Sequence, residues 1–355
     1  MEIAGRKIGA GEPTYVIAEL SANHGQDLDE AVRLVHAAAE AGADAVKLQT
    51  YTPDTITLNS DRPEFRIASG TVWDGRTLHE LYGEAYTPWE WHERLQREAH
   101  ESGLELLSSP FDDTAVDFLE TLGLPAYKVA SFEIVDLGLI RRVAATRKPM
   151  IISTGMATLA EIAEAVDAAQ QAGAQDIVLL KCTSAYPASA ADANLRTIPN
   201  LADTFGLPIG LSDHTLGIAV PVAAVAMGAV LIEKHFTMSR AVTGPDAGFS
   251  LEPAEFAEMV RQVRTAEQAL GEVSYGPTDK EAGSRILRRS LFVVADVRAG
   301  EALSASNVRS IRPGHGLHTR HLDEVLGRRA TRDIERGTPL SWDLIGPPND
   351  RTSGR

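Results

Sequence analysis

The chain has 355 residues, of which 44% are hydrophobic and 23% are charged, and its formal net charge is −15. A chain of this length folds as one large domain with room for a small second one, and it buries a core of its own. The acidic balance argues against nucleic acid as the main partner, and no apolar run is long enough to span a bilayer.

Strand-like and helix-like segments alternate from residue 14 to residue 271. Helical patterns such as DEAVRLVHAAAEAG and LAEIAEAVDAAQQAG separate eight strand-like runs, and glycine follows several of them as expected of a helix C-cap. Eight parallel strands in about 260 residues predict an α/β fold of the (β/α)8 TIM-barrel type. The strand-like runs are TYVIAEL, AVKLQTY, LELLSSPF, AYKVAS, PMIIST, DIVLLKCTS, PIGLSD and AVLIEKHFT.

A doubly wound open sheet is the competing architecture for this alternation. Such a sheet is expected to carry a glycine-rich phosphate loop after its first strand, and the sequence has none there. The segment from Thr52 to Thr87 is too long for a plain connection. We therefore interpret it as an active-site insertion after the second strand.

The pattern changes after Gly271. Residues 272–289 are polar and turn-rich and predict a linker, whereas residues 290–345 carry short strand signals that predict a compact β-rich module. Residues 346–355 are typical of a disordered tail. The expected organisation is a barrel domain over residues 1–271, followed by the linker, the module and the tail.

Charge is distributed unevenly along the chain. The segment from Arg285 to Arg336 contains eleven arginines, no lysine and six acidic residues, a balance of +5, so the rest of the chain carries −20. The segment is either a solvated basic face or a surface that meets an acidic surface or an anionic ligand elsewhere in an assembly.

Cys182 is the only cysteine of the chain and lies in the apolar run IVLLKC. It cannot form an internal disulfide, which fits a reducing compartment, and we interpret it as an inert buried thiol. The first residues, MEIAGRKIGAGEP, lack the apolar core of a signal peptide. These features predict a cytoplasmic protein without a membrane partner.

Two histidines close neighbouring strand-like runs, His214 in GLSDHT and His235 in LIEKHFT. The C-terminal ends of barrel strands face the active site. Two imidazoles placed there could hold a divalent cation and leave coordination positions open for water or substrate. The alternative is that each histidine is only a hydrogen-bonded wall residue.

Almost every predicted strand also ends in charged or hydroxyl side chains. Lysines and hydroxyls at a barrel mouth donate hydrogen bonds to phosphate or carboxylate, although any single lysine could serve a structural ion pair. With the two histidines and Glu19 they predict metal-assisted chemistry on a small anionic substrate. The strand-end residues are Glu19, Asn23, His24, Lys47, Gln49, Ser108, Ser109, Lys128, Ser131, Glu133, Ser153, Thr154, Lys181, Thr183, Ser184, Tyr186, Ser212, Asp213, His214, Lys234 and His235.

The segments that carry these residues resemble the sialic acid synthase family, from the first residue to about residue 345. The resemblance implies a TIM barrel followed by an antifreeze-like (SAF) domain. It also implies a transferase that condenses phosphoenolpyruvate with an N-acetylated amino sugar and releases phosphate by C–O cleavage. The matching segments are AELSANHGQ, AVKLQTY, SSPFD, YKVASFEI, ISTGMAT, LKCTSAYPA, GLSDHT, IEKHFT and GPDAGFSLEP.

Within that family, TYTPDTITLNSDRPEFRI and LGRRATRDIERGTPLSWDLI are typical of the pseudaminic acid branch. The sugar of that branch is 2,4-diacetamido-2,4,6-trideoxy-L-altrose. Synthesis of legionaminic acid or N-acetylneuraminic acid is the alternative within the family. Outside it, a sugar-phosphate aldolase with a Schiff-base lysine and a non-catalytic ice- or carbohydrate-binding protein are the alternatives.

The resemblance further implies roles for individual residues. His214 and His235 would hold Mn²⁺, with Mg²⁺ or Co²⁺ as alternatives, and Glu19 would stabilise a cation or move a proton. Arg312, in SIRPG, would reach the sugar in the barrel of a partner subunit, which implies a homodimer with swapped C-terminal modules. At Ser184 the neuraminate branch often has Asn instead. The implied phosphoenolpyruvate contacts are Lys47, Lys128, Ser131, Ser153, Ser184 and Ser212, and the implied sugar contacts are Gln49, Tyr186, Asp246 and Arg312.

Overall fold

The computed structural model describes residues 1–68, 73–241 and 244–348. The chain divides into two compact units, Met1–Gly271 and Glu272–Arg355. Of the tail predicted at 346–355, the part from 349 onward lies outside the described residues. No helix within the described ranges is both long and apolar enough to cross a membrane.

The first unit contains a closed barrel of eight parallel strands, which confirms the predicted TIM barrel. A short antiparallel hairpin, β1 (Glu2–Ile3) and β2 (Arg6–Lys7), precedes it. Ile3 of this hairpin packs in one apolar cluster with Tyr15 and Leu231, which begin two of the barrel strands. The barrel strands are β3 (Tyr15–Glu19), β4 (Ala45–Thr50), β5 (Glu105–Pro110), β6 (Tyr127–Val129), β7 (Met150–Ser153), β8 (Ile177–Cys182), β9 (Ile209–Asp213) and β10 (Leu231–His235).

Helices cover the outside of the barrel, so its strands are buried on both faces and read as apolar runs. The strands β8 and β10 pack closely against Gly210 of β9. A methyl group at Gly210 would lie 2.5 Å from the carbonyl oxygen of Leu231 and 2.6 Å from Leu180 Cδ2. The helices of this unit are α1 (Leu28–Glu40), α2 (Pro53–Ile56), α3 (Leu78–Ala85), α4 (His92–Glu101), α5 (Asp113–Leu122), α6 (Leu137–Ala144), α7 (Leu159–Gln171), α8 (Thr197–Phe205), α9 (Ala219–Ala226) and α10 (Pro253–Leu270).

The segment expected to be an insertion, Thr52 to Thr87, contains α2, α3 and a 3-10 turn at Pro63–Phe65. Its residues 69–72 lie outside the described part of the chain. Thr77 caps the first turn of α3 by accepting a hydrogen bond from the backbone N–H of Glu80. The insertion therefore carries helical structure of its own.

The second unit has a small core of its own around Leu291, Val308 and Leu340. Its strands β11 (Ser290–Val293) and β12 (Val308–Ile311) pair antiparallel, and isolated bridges continue the β-rich pattern. The helix α11 (Asp279–Ala282) and a 3-10 turn at Gly283–Leu287 lie within the segment predicted as a linker. The short helix α12 (Leu322–Val325) completes the unit.

Candidate active site

The carboxyl ends of β9 and β10 bring His214 and His235 together. Their ring centroids are 5.2 Å apart, and both side chains are buried. Side chains alternate along a strand, so Ser212 and Glu233 lie on the same face of the sheet as the two histidines. Ser212 Oγ donates a hydrogen bond to Glu233 Oε1 at 3.2 Å, which confirms that these two side chains share that face.

The hydrogen bonds of the two imidazoles determine which nitrogens can act as ligands. His214 Nδ1 lies 2.9 Å from the carbonyl oxygen of Thr183 and donates to it, so Nε2 keeps its lone pair. His235 Nδ1 is buried and has no hydrogen-bond partner. Burial, followed by the charges of His214 and Lys47, holds the pKa of His235 well below its usual range. This histidine is therefore neutral, which is the form that binds metal ions.

The histidine pair fits a divalent cation that takes only two ligands from the protein. Within the described ranges, no cluster of three or more His, Cys, Asp or Glu side chains is arranged to hold a metal. Burial would lower the pKa of His214, but Cys182 and the carbonyl of Thr183 outweigh it and raise that pKa. A cation held here would displace the imidazole proton and leave its remaining coordination positions to water or substrate.

Four buried charged side chains lie beside the histidines. Lys47 Nζ pairs with Glu19 Oε2 and lies 3.9 Å from Glu233 Oε1, and Lys128 Nζ lies 3.6 Å from the same Glu233 oxygen. All four are less than a tenth exposed. The charges of the two lysines compensate those of the two carboxylates. This compensation is needed because an unpaired buried charge is strongly destabilising.

The two carboxyl groups of this cluster differ in their proton affinity. Burial raises the pKa of Glu19 despite its pairing with Lys47. Burial would also raise the pKa of Glu233, but Lys128 and Lys47 lower it below its ordinary value. Glu233 is thus the permanent anion of the cluster, whereas Glu19 is the carboxyl group that takes up a proton more readily.

Lys47 and Lys128 also differ from each other. Burial opposes the charged form of Lys47, but Glu19 and Glu233 together hold its pKa above the usual range. Burial dominates at Lys128 and lowers its pKa. Lys47 is therefore held in the ammonium form more firmly than Lys128.

A cluster of serine hydroxyls surrounds Gly155 and the end of β7. The backbone N–H of Gly155 donates to Ser131 Oγ at 3.1 Å, and a methyl group at Gly155 would clash with both Ser131 Oγ and Ser184 Oγ. Only glycine lets these groups approach so closely. Ser153 Oγ is buried without a hydrogen-bond partner. Hydroxyls gathered in this way can donate hydrogen bonds to an anion.

Two of the residues expected on the sugar side, Gln49 and Asp246, belong to one hydrogen-bonded chain. Gln49 Nε2 donates to Glu19 Oε1 at 3.1 Å and to Ser21 Oγ at 3.0 Å, and Ser21 Oγ donates to Asp246 Oδ2. Burial raises the pKa of Asp246. The chain links this side of the site to the carboxyl group of Glu19.

Aromatic side chains form the wall of the same site. The Tyr186 ring lies 4.4 Å from the His214 ring and 5.1 Å from the Phe249 ring. Trp73 of the insertion lies 5.8 Å from Tyr186, and its Nε1 donates to the carbonyl of Pro245 at 3.2 Å. The insertion therefore reaches the site, as the sequence interpretation expected.

Several site residues were absent from the sequence-based selection. Glu233 lies two residues before His235, and the alternation of a strand was the signal that could have identified it. Gly155 and Phe249 lie in ISTGMAT and GPDAGFSLEP, two of the segments that carry the family resemblance. They and Trp73 were not selected, because their roles depend on contacts between distant segments. Arg312 follows β12 and belongs to the second unit.

Other strand-end residues lie outside the site or at its margin. Lys234 and Asp213 occupy the opposite face of their strands, where they form a buried ion pair. Lys181 Nζ donates to the carbonyl oxygen of Cys182 at 2.8 Å. Cys182 Sγ is 3.9 Å from His214 Nδ1, and although burial opposes it, contacts with His214 and Ser131 lower the pKa of the thiol to about 7.

Comparisons with known proteins agree with this architecture. The NeuB family model matches residues 34–275, and the SAF domain model matches residues 288–346. The chain is 46% identical to pseudaminic acid synthase of Helicobacter pylori over 94% of its own length and 98% of that protein. It is 39% identical to N,N'-diacetyllegionaminic acid synthase of Legionella pneumophila, with 95% and 96% covered.

A solved structure is similar as well. The N-acetylneuraminic acid synthetase of Leptospira borgpetersenii has a TM-score of 0.72 and 31% identity, covering 80% of this chain and 94% of that one. These matches confirm the resemblance to the sialic acid synthase family and the SAF domain that follows the barrel.

We predict that Glu233→Gln lowers the free energy of unfolding by about 3–5 kcal/mol, because it leaves two buried ammonium groups with a single counter-charge. Urea unfolding followed by circular dichroism measures this change. The matched control is Glu258→Gln, whose partner Arg261 is 70% exposed, and it should leave the midpoint nearly unchanged. Equal midpoints for Glu233→Gln and the wild type would contradict the prediction.

Proposed function

The chain belongs to the NeuB family, and on that premise we propose that it catalyses the pseudaminic acid synthase reaction. In this reaction phosphoenolpyruvate and 2,4-diacetamido-2,4,6-trideoxy-L-altrose give pseudaminic acid and phosphate. The observation that carries the proposal is the pair of buried imidazoles beside two buried lysines at the barrel mouth. This set combines donors for an anionic substrate with ligands for a metal ion.

The chemistry is a condensation that consumes one water molecule. The electron pair of the enol double bond forms a C–C bond from C3 of phosphoenolpyruvate to the aldehyde carbon of the open-chain sugar. Water then adds to the cationic C2 carbon, and the C–O bond to phosphate breaks. A metal held by His214 and His235 would polarise the aldehyde as a Lewis acid.

The residues of the chain have distinct tasks in this scheme. Lys47, Lys128 and the cluster of serine hydroxyls would bind the phosphate and carboxylate of phosphoenolpyruvate and hold its enol carbon in place. Glu19 would stabilise the developing cation or carry a proton, which suits its raised pKa. Gln49 orients Glu19, and with Tyr186 and Asp246 it would form the sugar side.

An oxygen isotope placed in the bridging C–O–P position of phosphoenolpyruvate tests the reaction type. C–O cleavage transfers the label to phosphate, whereas retention of the label in the keto acid would contradict the scheme. A sugar-phosphate aldolase would instead form a Schiff base, for which Lys128 is suited by its lowered pKa. Borohydride reduction with substrate, followed by peptide mapping, should leave Lys128 unmodified.

We predict that a divalent cation is required and that Mn²⁺ restores the activity after exhaustive chelation. His235→Ala should lower kcat by several orders of magnitude while the circular dichroism spectrum is unchanged, because the polarising ion loses one of its two protein ligands. His36→Ala is the matched control, since His36 is exposed and pairs with Glu98 at 3.0 Å. Full turnover of the wild type in metal-free buffer would show that this prediction is wrong.

We also predict a preference for the L-altrose sugar over N-acetylmannosamine and over the legionaminate precursor. A site that hydrogen-bonds one polar pattern leaves groups unpaired with the wrong sugar, at a cost on the order of several kcal/mol. Phosphate release with each sugar gives the three values of kcat/KM. Comparable values for N-acetylmannosamine, or a higher value for the legionaminate precursor, would refute the branch assignment.

Apolar side chains on the loops that follow β6, β7 and β9 support a homodimer with swapped C-terminal modules. Phe132, Val135, Met156, Leu159 and Leu216 are each between 57% and 62% exposed. Exposed apolar side chains around an opening are typical of an interaction surface. The excess of arginine in the C-terminal segment complements the acidic remainder of the chain.

In this dimer Arg312 would act in the barrel of the partner, so we predict that inactive variants complement each other. Co-expression of His235→Ala and Arg312→Ala chains gives heterodimers in which one site has both residues intact. About half of the activity of the wild-type dimer should return. If Arg312 acted within its own chain, every site would keep one defect, and purified heterodimers would stay inactive.

A further inference from the structure

We propose that the buried ion pair of Lys234 and Asp213 is a positioning device that holds His214 and His235 at the separation a shared metal ion needs. The inference rests on the proposed function, since it assigns a role within the metal site. It concerns residues that do not face the barrel mouth, because they alternate with the histidines along β9 and β10.

The pair lies directly behind the two histidines. Lys234 Nζ donates to Asp213 Oδ2, and the two side chains are 0% and 2% exposed. Asp213 precedes His214 in the chain, and Lys234 precedes His235. The ion pair therefore joins the two residues that directly precede the histidines in the chain.

The backbone does not provide this link by itself. Lys234 opposite Asp213 is the last residue pair in the register of β9 and β10. Beyond that pair, the carbonyl of His214 accepts from the N–H of Ala188, and the carbonyl of His235 accepts from the N–H of Leu251, each at 2.9 Å. The main chains of the two histidines thus bond to different partners and diverge.

The ion pair also forms hydrogen bonds with the residue that follows His214. Lys234 Nζ donates to the carbonyl oxygen of Thr215 as well as to Asp213. Asp213 accepts from the N–H of Thr215 at 3.1 Å and from its hydroxyl at 3.0 Å. The ammonium group of Lys234, the residue before His235, therefore bonds to the residues on both sides of His214.

An ionic pair is not needed here for stability alone. Replacement of a buried ion pair by apolar side chains of similar volume is often neutral or stabilising. Directional bonds from one ammonium group to two defined oxygens, in contrast, fix the positions of the bonded residues relative to each other. Residues that orient metal ligands in this way typically alter metal affinity about 10–100-fold when they are removed.

The test measures the binding of Mn²⁺ alone to the full-length protein, by electron paramagnetic resonance titration without substrate. Lys234→Met should weaken Mn²⁺ binding at least about tenfold, whereas Lys234→Arg should recover most of the affinity. Phosphoenolpyruvate binding, measured separately by calorimetry in metal-free buffer, should change little. Lys148→Met is the matched control, because Lys148 pairs with Glu120 at 2.7 Å on another part of the barrel.

Thr215→Val provides a milder variant, since it removes only the hydroxyl bond to Asp213 and should weaken Mn²⁺ binding by a smaller factor. It keeps the inference testable if Lys234→Met does not fold. Wild-type Mn²⁺ affinity in folded Lys234→Met, or in Thr215→Val if the former does not fold, would overturn the inference. An equal loss of Mn²⁺ and phosphoenolpyruvate binding would also overturn it, because it indicates a general structural role. Failure of the wild type to bind Mn²⁺ would instead contradict the proposed metal site.

Discussion

The pairing of β10 with β3 closes the barrel, and the candidate site depends on that closure. The register places His235 opposite Glu19, and Glu19 in turn lies opposite Lys47 of β4. A histidine, a carboxylate and a lysine from three strands therefore form one row at the barrel mouth. A shift of β10 by one residue in this register would turn His235 to the opposite face of the sheet.

The charged cluster around this row explains how the protein tolerates so many buried charges. Glu19, Glu233, Lys47 and Lys128 compensate one another, and the neutral His235 adds no charge. An anionic substrate and a divalent cation bring charges of opposite sign to this balanced cluster. In the proposed reaction each would therefore favour the binding of the other, and thermodynamic linkage makes this effect reciprocal.

Much of the fold could be predicted from the sequence, because buried parallel strands give short apolar runs with clear ends. The eight predicted runs coincide with β3 to β10, even where β6 is only three residues long. In the helix α8, Pro199 interrupts the helical pattern of the sequence. Its position in the first turn, where no backbone N–H is required, explains why the helix forms nevertheless.

The candidate site was predicted less completely, because residue type at a strand end does not give the direction of a side chain. Lys234 was grouped with the barrel mouth, but it lies behind it in an ion pair with Asp213. Glu233, which the alternation of β10 turns inward, was overlooked. Gly155 could not be identified from the sequence, because its role depends on the positions of Ser131 and Ser184 in three dimensions.

The division between strands and loops also separates the chemistry from the choice of sugar. The strands carry the histidines, lysines and carboxylates that every condensation of this kind would need. Loops vary without disturbing that framework, so differences between related substrates are recognised there. Trp73 beside Tyr186, and Tyr82 at 5.6 Å from Tyr51, are contacts that the insertion contributes. In the proposed function, sugar selectivity should therefore change with substitutions in the insertion, while the row formed by β10, β3 and β4 would maintain the reaction itself.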